Sequence, residues 1–194
     1  MLGVDEAGRG PLAGPVAVGV VAVPEGFDVG KEFPGVKDSK KLSPEKRESL
    51  FQLLEARAGQ GDVRFTVEFE EAETIDREGI ATAVRRAVYR GVNALAPDAA
   101  LVHVELDGLL KAPPEYSQAT IVHGDELVPL ISLASIAAKV VRDRYMVHAA
   151  SLFPLYKFEQ HKGYGTSAHY ELLKRHGLSS IHRRSYIHLD SINK

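Results

Sequence analysis

Residues 2–23 have the sequence LGVDEAGRGPLAGPVAVGVVAV, in which two apolar runs lie on either side of a glycine-rich loop. The first run is short and ends in two acids, Asp5 and Glu6. The second, Pro15–Val23, is rich in valine and stops at Pro24, which is typical of a buried strand. We therefore expect the chain to begin with a β-hairpin.

The rest of the chain alternates between strand and helix patterns. Polar and apolar residues alternate over Val63–Phe69, which predicts a half-exposed strand, and shorter strands are expected at Leu101–Leu106 and Thr120–Val122. Apolar residues at helical spacing predict helices over Glu45–Ala58, Ile75–Leu95, Pro129–Met146 and Ser167–His176. This order of elements predicts an α/β fold in which helices flank a mixed central sheet.

Length and composition favour one folded domain over residues 1–194. Of the 194 residues, 44% are hydrophobic and 26% are charged, which excludes a disordered chain. The sequence has no cysteine, so it can form neither a disulfide nor a thiolate zinc site. No signal-peptide pattern opens it, and its apolar stretches are shorter than the roughly 20 residues that span a bilayer. We expect a cytoplasmic monomer that does not contact membranes.

Charge is distributed unevenly along the chain, although the net charge is only −2. Residues 139–194 hold ten Lys and Arg against four Asp and Glu, a balance of +6, and residues 1–138 have a balance of −8. Such asymmetry is typical of a region that contacts nucleic acid. A solvated basic helix face explains it equally well.

Four carboxylates end or follow the predicted strands. Asp5 and Glu6 end the first strand, Asp107 ends the strand before the Pro113-Pro114 loop, and Asp125 follows the next one. If these strands are neighbours, the carboxylates converge and repel one another unless cations such as Mg²⁺ or Mn²⁺ lie between them. Adjacent strand residues point to opposite faces, so Glu6 is expected to act from the turn or through its main chain. Alternatively, each carboxylate is a helix cap or a surface charge.

The loop from Gly8 to Ala13 formally matches the G-x-G-x-x-A pattern of dinucleotide-binding proteins. That pattern requires a helix to follow, whereas a strand is predicted here, and Asp5 and Glu6 would repel a pyrophosphate. We therefore do not expect a nicotinamide-dependent oxidoreductase. Two glycines around one arginine suit close approach to a sugar-phosphate chain. A tight hairpin turn is the alternative explanation of the loop.

These residues resemble the signature blocks of ribonuclease HII, the type 2 ribonuclease H family. The matching blocks occur in order along nearly the whole chain, at residues 3–15, 38–43, 106–108, 124–125, 134–144, 161–164 and 182–185. Arg9 between the two glycines, where the related HIII type differs, favours the HII type.

The resemblance implies a ribonuclease H-like fold with a C-terminal helical segment. It also implies a metal-dependent endonuclease that hydrolyses the RNA strand of RNA/DNA hybrids. The same enzyme would nick duplex DNA on the 5′ side of an embedded ribonucleotide, leaving a 3′-hydroxyl and a 5′-phosphate. Asp5, Glu6, Asp107 and Asp125 would be the catalytic residues and would bind two divalent ions, Mg²⁺ or Mn²⁺, for two-metal hydrolysis.

The resemblance also implies the residues that bind substrate. The Gly8-Arg9-Gly10 loop would recognise the 2′-hydroxyl of the ribonucleotide, and Tyr164 would stack on the sugar of the adjacent deoxynucleotide. The candidates for contacts with backbone phosphates are Ser39, Lys40, Lys162, Arg183 and Arg184.

Some positions depart from the family pattern or leave an alternative open. His123 stands where a lysine commonly precedes the Gly-Asp pair, and we expect an exposed, inert histidine there. Asp143 lies in a matching block, but we expect it to pair with Arg142 or Arg144, or to face solvent, rather than bind metal.

The rival function is a nucleic-acid-binding module that kept the fold and lost the chemistry. The four intact carboxylates argue against that rival.

Overall fold

The computed structural model describes residues 1–36 and 42–187, and its centre is a five-stranded mixed sheet of order β3-β2-β1-β4-β5. The strands are β1 (Leu2–Ala7), β2 (Val16–Ala22), β3 (Arg64–Glu70), β4 (His103–Asp107) and β5 (Ser117–Ile121). The α-helices are α1 (Val29–Glu32), α2 (Pro44–Gln60), α3 (Ala72–Glu78), α4 (Ile80–Leu95), α5 (Gly124–Leu127), α6 (Pro129–Leu152), α7 (Phe158–His161) and α8 (Ser167–His176). Short 3₁₀ helices cover Ala99–Leu101, Pro154–Tyr156 and Arg184–Tyr186.

The N-terminal hairpin predicted from the sequence is confirmed and lies at the middle of the sheet. Strands β1 and β2 pair antiparallel along their length, from Leu2 opposite Ala22 to Ala7 opposite Ala17. Strand β1 also pairs parallel with β4, and β4 pairs parallel with β5. The carboxyl ends of β1, β4 and β5 therefore meet at one edge of the sheet. A strand rather than a helix follows the glycine loop, so the pattern at Gly8 lacks the helix that dinucleotide binding requires.

Helices cover both faces of the sheet, as expected for a ribonuclease H-like fold. Helix α4 packs its apolar stripe on one face, around Val18 and Val20. Helix α6 lies on the other face and approaches the hairpin backbone directly at Gly3 and Gly19. A Cβ at Gly3 would lie 2.6 Å from the Leu130 carbonyl oxygen, and one at Gly19 would overlap that of Ala134. These contacts place the middle of α6 against the carboxylate strand β1.

The predicted helix over residues 75–95 is wrong in one respect, because the structure has two helices there. Helix α3 ends at Glu78 and α4 begins at Ile80, with Gly79 between them at φ 80° and ψ 153°. That left-handed φ is easily adopted by glycine and breaks the helical path. The predicted helix 129–146 was too short, since α6 continues to Leu152 and ends where Phe153 precedes Pro154. The strand predicted to start at Leu101 starts at His103, after a 3₁₀ turn capped by Asp98.

The C-terminal helical segment is confirmed and packs against the glycine loop. Helix α8 has the predicted bounds, with Thr166 as its N-cap and Gly177 after its last residue. Its Leu173 joins Phe158, Met146 and Leu12 of the loop in one buried cluster. Within residues 1–36 and 42–187, no helix has the length and apolarity that crossing a bilayer would require.

Candidate active site

Asp5 is the most deeply buried of the acids on β1, with 3% of its surface exposed. Its Oδ1 atom accepts a hydrogen bond from the backbone N–H of Glu6 at 2.7 Å. Burial raises the pKa of Asp5 well above its ordinary value, and the charges of Glu6 and Asp107 raise it further. A hydrogen bond with Ser135 of α6 opposes these effects. Three of the predicted carboxylates, Asp5, Glu6 and Asp107, therefore act on one another in a single site.

Glu6 corrects one expectation, because it lies within β1 and its carboxylate belongs to the site. Burial raises its pKa, the Arg9 guanidinium opposes this, and the Asp107 charge raises it. Its Oε1 accepts from Arg9 at 3.2 Å, and its buried Oε2 has no hydrogen-bond donor among the described residues. The Glu6 side chain nevertheless lines the cleft, although the pairing of β1 with β2 continues past it to Ala7.

Asp107 ends β4 and connects the sheet to α5, where Asp125 lies. Its Oδ1 accepts from the backbone N–H of Gly124 at 2.7 Å and of Asp125 at 3.4 Å. Asp125 is fully buried in the first turn of α5, just beyond β5. His123, which precedes this helix, is exposed with φ 55°, so the expectation of an exposed histidine is confirmed.

The donor set fits a divalent cation, although the described side chains do not enclose one. Among residues 1–36 and 42–187, no three His, Cys, Asp or Glu side chains stand close enough to hold a metal ion. The carboxylates nevertheless supply hard oxygen atoms, and Asp5 and Glu6 are buried beside like charge. The donorless Oε2 of Glu6 is a further oxygen that a cation would satisfy. Asp5, Glu6, Asp107 and Asp125 are therefore the residues that would hold a divalent ion.

The glycine loop follows β1 directly and combines a rigid base with an exposed tip. Gly8 has φ +89°, and a Cβ there would overlap the Arg142 side chain. Arg9 and Gly10 are exposed, and a Cβ at Gly10 would meet no atom within 4 Å. The tip is therefore open to a ligand, while its base tolerates only glycine.

Arg183 was predicted to contact phosphate, but its position does not fit that role. Its side chain is 0% exposed and donates to the carbonyls of Gly8 at 2.7 Å, Arg9 at 2.8 Å and Gly14 at 2.9 Å. Burial lowers its pKa to about 10, and the nearby Arg142 charge lowers it as well. Arg142 is equally buried and donates to the carbonyls of Ala13 and Pro15. Sequence reasoning missed both arginines as internal supports of the loop, since charge alone favours the surface.

A cleft of about 330 Å³ lies between Glu6, the base of the glycine loop at Gly8, and Tyr164. Glu6, Gly8, Ser135, Lys139 and Tyr164 line it, together with Ala7 and Arg47. Tyr164 is 39% exposed, and Lys139 Nζ lies 5.5 Å from the centre of its ring. Of the predicted site residues, the structure brings Glu6, Gly8 and Tyr164 to one cavity.

The other predicted contacts lie farther out or outside the described residues. Lys162, at φ 51°, donates its Nζ to the Glu159 carbonyl, and Arg184 is exposed at the C-terminal 3₁₀ helix. Ser39 and Lys40 fall in residues 37–41, which are outside the described part. Asp143 pairs with Lys139 at 2.8 Å, rather than with Arg142 or Arg144.

Two buried histidines of the basic region, His169 and His182, form a neutral network behind Tyr164. The Nδ1 of His182 accepts from Ser179 N–H at 2.9 Å, so its Nε2 carries the proton and donates to His169 Nε2 at 3.0 Å. The Nδ1–H of His169 then donates to the Tyr164 carbonyl at 2.9 Å. Burial lowers the pKa of both rings to about 4. These rings, which add no charge at neutral pH, instead fix the backbone that carries Tyr164.

The profile of the family described as Ribonuclease HII matches residues 2–189. The chain belongs to the ribonuclease HII family. Ribonuclease HII of Caldicellulosiruptor bescii is 42% identical over 187 residues, which cover 95% of this chain and 85% of that protein. Ribonuclease HII of Geobacillus kaustophilus is 41% identical over 184 residues, covering 95% of this chain and 66% of that protein.

Solved ribonuclease HII structures show the same fold. The structure of the PCNA:RNase HII complex from Archaeoglobus fulgidus matches with a TM-score of 0.77 and 25% identity, covering 100% of this chain and 96% of that chain. Ribonuclease H2 from Pyrococcus horikoshii matches with a TM-score of 0.75 and 26% identity, over 98% and 95% of the two chains. Bst-RNase HIII in complex with Mn²⁺ shares the fold, with a TM-score of 0.70 and 19% identity over 99% of this chain and 68% of that one. The chain is thus a ribonuclease H-type endonuclease of a metal-using family that acts on nucleic acid.

The two loop glycines should respond differently to alanine. We expect Gly8→Ala to destabilise the fold by about 2 kcal/mol or more, because it combines a positive φ with an overlap against Arg142. Gly10→Ala should leave the melting temperature unchanged, since its Cβ would point into open space. If substrate approaches the loop backbone closely, Gly10→Ala should still weaken duplex binding. Thermal melts and binding titrations of both variants measure this, and a stable Gly8→Ala variant would contradict the geometry.

The histidine network should make the protein acid-sensitive within a defined range. A lowered folded-state pKa means that the unfolded chain binds more protons below pH 6.5, so stability falls as pH drops from 6.5 towards about 4. The loss should be on the order of 3 kcal/mol for each ring at the lower limit. Urea unfolding across this range measures it, with His169→Gln as the comparison. An equal acid loss in that variant would contradict the assignment.

Proposed function

We propose that this chain hydrolyses the RNA strand of RNA/DNA hybrids and nicks duplex DNA on the 5′ side of an embedded ribonucleotide, leaving a 3′-hydroxyl and a 5′-phosphate. The observation that carries the proposal is the shared cleft, because Glu6, Gly8 and Tyr164 line one cavity beside Asp5. A nuclease that recognises a ribonucleotide needs its catalytic acids and the groups that contact the sugar within a few ångströms of one another, because both act on the same part of the substrate backbone.

Asp5, Glu6, Asp107 and Asp125 would hold two divalent ions, Mg²⁺ or Mn²⁺. When bound, such ions activate an attacking water and stabilise the leaving 3′-oxygen of a phosphodiester. The role of the carboxylates is to keep several negative charges at one buried edge, where their mutual repulsion and desolvation favour cation binding. Asp107 also fixes Asp125 next to it through the N–H groups at the start of α5.

The loop and Tyr164 would distinguish a ribonucleotide from a deoxynucleotide. Exposed Arg9 and Gly10 at the loop tip can reach a 2′-hydroxyl, which donates and accepts hydrogen bonds. The half-exposed Tyr164 ring offers a flat face to the neighbouring sugar. Its backbone is held by His169, so the ring projects from a fixed position.

Basic side chains around the cleft would position the duplex through its phosphates. Lys162 and Arg184 keep this proposed role, as do Ser39 and Lys40 outside the described residues, whereas buried Arg183 does not. A groove of about 550 Å³ between α2 and α6 shares Arg47 with the cleft, and its charged lining also includes Arg144, Lys162, Glu48 and Asp143. The basic segment from about residue 139 would thus contribute to substrate binding within a single, monomeric catalytic domain.

An end-labelled DNA duplex with one ribonucleotide tests the function. We expect a single nick on the 5′ side of the ribonucleotide with Mg²⁺ or Mn²⁺, and none with EDTA. If the protein cuts a long RNA/DNA hybrid but makes no such nick, the proposed hydrolysis is supported and the proposed recognition of the junction is refuted. Binding of both substrates without cleavage of either would instead support the rival binding module.

A further inference from the structure

The end of the described chain folds back onto the glycine loop as a backbone support. Ala13 and His182 form an isolated antiparallel bridge, and the N–H of Arg183 donates to the Leu12 carbonyl at 2.8 Å. The N–H of Gly14 donates to the Ile181 carbonyl, also at 2.8 Å. These bonds bring Arg183 beneath the loop, about 170 positions away in sequence from the carbonyls that it binds.

The bonds of Arg183 fix the direction in which the loop amides point. Its guanidinium binds the carbonyls of Gly8 and Arg9 from the protein interior. In a planar trans peptide the carbonyl and the following N–H point in opposite directions. The N–H groups of Arg9 and Gly10 are therefore turned away from Arg183, towards the exposed side of the loop. Two adjacent amide donors aimed outwards suit the oxygen atoms of a sugar-phosphate unit.

Asp76 of α3 holds the segment that carries Arg183. Its two carboxylate oxygens accept the backbone N–H of Arg184 at 2.8 Å and of Ser185 at 3.0 Å, and Oδ1 also accepts the Ser185 hydroxyl. These residues follow Arg183 directly and form the last 3₁₀ helix. The Asp76 bonds are exposed, so this anchor can be removed without opening the core.

We propose that Arg183 is a positioning residue for ribonucleotide recognition, which turns the Arg9 and Gly10 amides towards substrate, and that Asp76 holds Arg183 in place. The proposal rests on the proposed reading of a ribonucleotide by this loop. Lysine cannot replace Arg183, because a single ammonium cannot span three carbonyls that a planar guanidinium fork reaches together. Neither residue touches the reacting phosphodiester, so the effect falls on selectivity.

The test measures binding in EDTA, where cleavage is suppressed, to two duplexes of the same sequence. One contains a single ribonucleotide and the other is entirely DNA, and the ratio of their dissociation constants reports the reading of the 2′-hydroxyl. We expect the unaltered protein to prefer the ribonucleotide by about tenfold, the scale of one good hydrogen bond to a sugar hydroxyl. Asp76→Ala should reduce this ratio by about threefold, and Arg183→Lys should bring it close to one. In both variants, affinity for the ribonucleotide duplex should fall more than affinity for the all-DNA duplex.

Asp98→Ala is the matched control, because Asp98 also caps a 3₁₀ helix by accepting a backbone N–H, at 3.1 Å from Ala100, far from the loop in the sequence. It should keep the full ratio. If Arg183→Lys fails to fold, as a thermal melt would show, Asp76→Ala decides alone. A ratio kept in a folded Asp76→Ala or Arg183→Lys variant overturns the inference and leaves the proposed function standing. If the unaltered protein binds the two duplexes with equal affinity, recognition of the ribonucleotide by the loop is refuted, and the inference with it.

Discussion

Asp107→Asn is expected to lower metal-dependent cleavage by about a thousandfold or more and to leave hybrid binding nearly unchanged. The substitution removes one charge from the carboxylate group at the ends of β1 and β4, where Asp107 acts on Asp5 and Glu6. A thousandfold loss corresponds to about 4 kcal/mol of transition-state stabilisation, within the range that metal-assisted hydrolysis supplies. The asparagine oxygen can still accept the Gly124 N–H, so α5 should remain folded. Single-turnover cleavage and a binding titration in EDTA measure the two effects.

Glu105→Gln is the control for that variant. Glu105 lies two residues earlier on β4, on the same side of the strand, and lines a different cavity near Val128 and Leu130. Removal of its charge should leave cleavage within about twofold, as for an ordinary surface change. Near-normal turnover of Asp107→Asn would refute its place among the metal-binding carboxylates. An equal loss in both variants would show that general charge, rather than position, governs the rate.

Much of this fold follows from local patterns in the sequence. The valine run after the glycine loop predicts β2, and the capping residues around α2 and α8 predict helices that the structure confirms. The placement of acids at strand ends predicts their convergence, because parallel neighbours end at the same edge of a sheet. These local patterns fail where a regular element is interrupted. Gly79, for example, divides one continuous apolar stripe between two helices.

The supports of the site could not be predicted, because they depend on partners distant in sequence. Charge alone places Arg142 and Arg183 at the surface, yet each is buried and donates hydrogen bonds to backbone carbonyls between Gly8 and Pro15. His169 and His182 add to the apparent basicity of the C-terminal region, yet burial keeps them neutral. A buried charge becomes tolerable only when the tertiary fold supplies its hydrogen bonds. The pattern of residues within 139–194 does not show which of its charges will receive such hydrogen bonds from distant parts of the chain.

Asp5→Asn should abolish cleavage and, at the same time, stabilise the metal-free protein. Burial and the charges of Glu6 and Asp107 raise the pKa of Asp5 from its ordinary 3.8, so its ionised form costs stability near neutral pH. Asparagine can keep the hydrogen bond from the Glu6 N–H without the charge. We expect a gain of about 1–3 kcal/mol in EDTA, which is roughly 3–10 °C in melting temperature for a chain of this size. Cleavage should fall by about a thousandfold.

Metal should reverse that order of stability. A cation that binds only the folded state adds about 4.1 kcal/mol at a concentration of 1,000 times its dissociation constant, which exceeds the expected gain of Asp5→Asn. The unaltered protein should therefore melt above Asp5→Asn in Mn²⁺ and below it in EDTA. Asp143→Asn, which loses a carboxylate paired with Lys139, should keep the full metal-dependent shift. Because the folded protein holds the Asp5 proton more tightly than the unfolded chain, stability in EDTA should fall as pH rises above 3.8, and the metal-dependent gain should grow. Asp5→Asn melting below the unaltered protein in EDTA would mean that the buried charge is already compensated without metal.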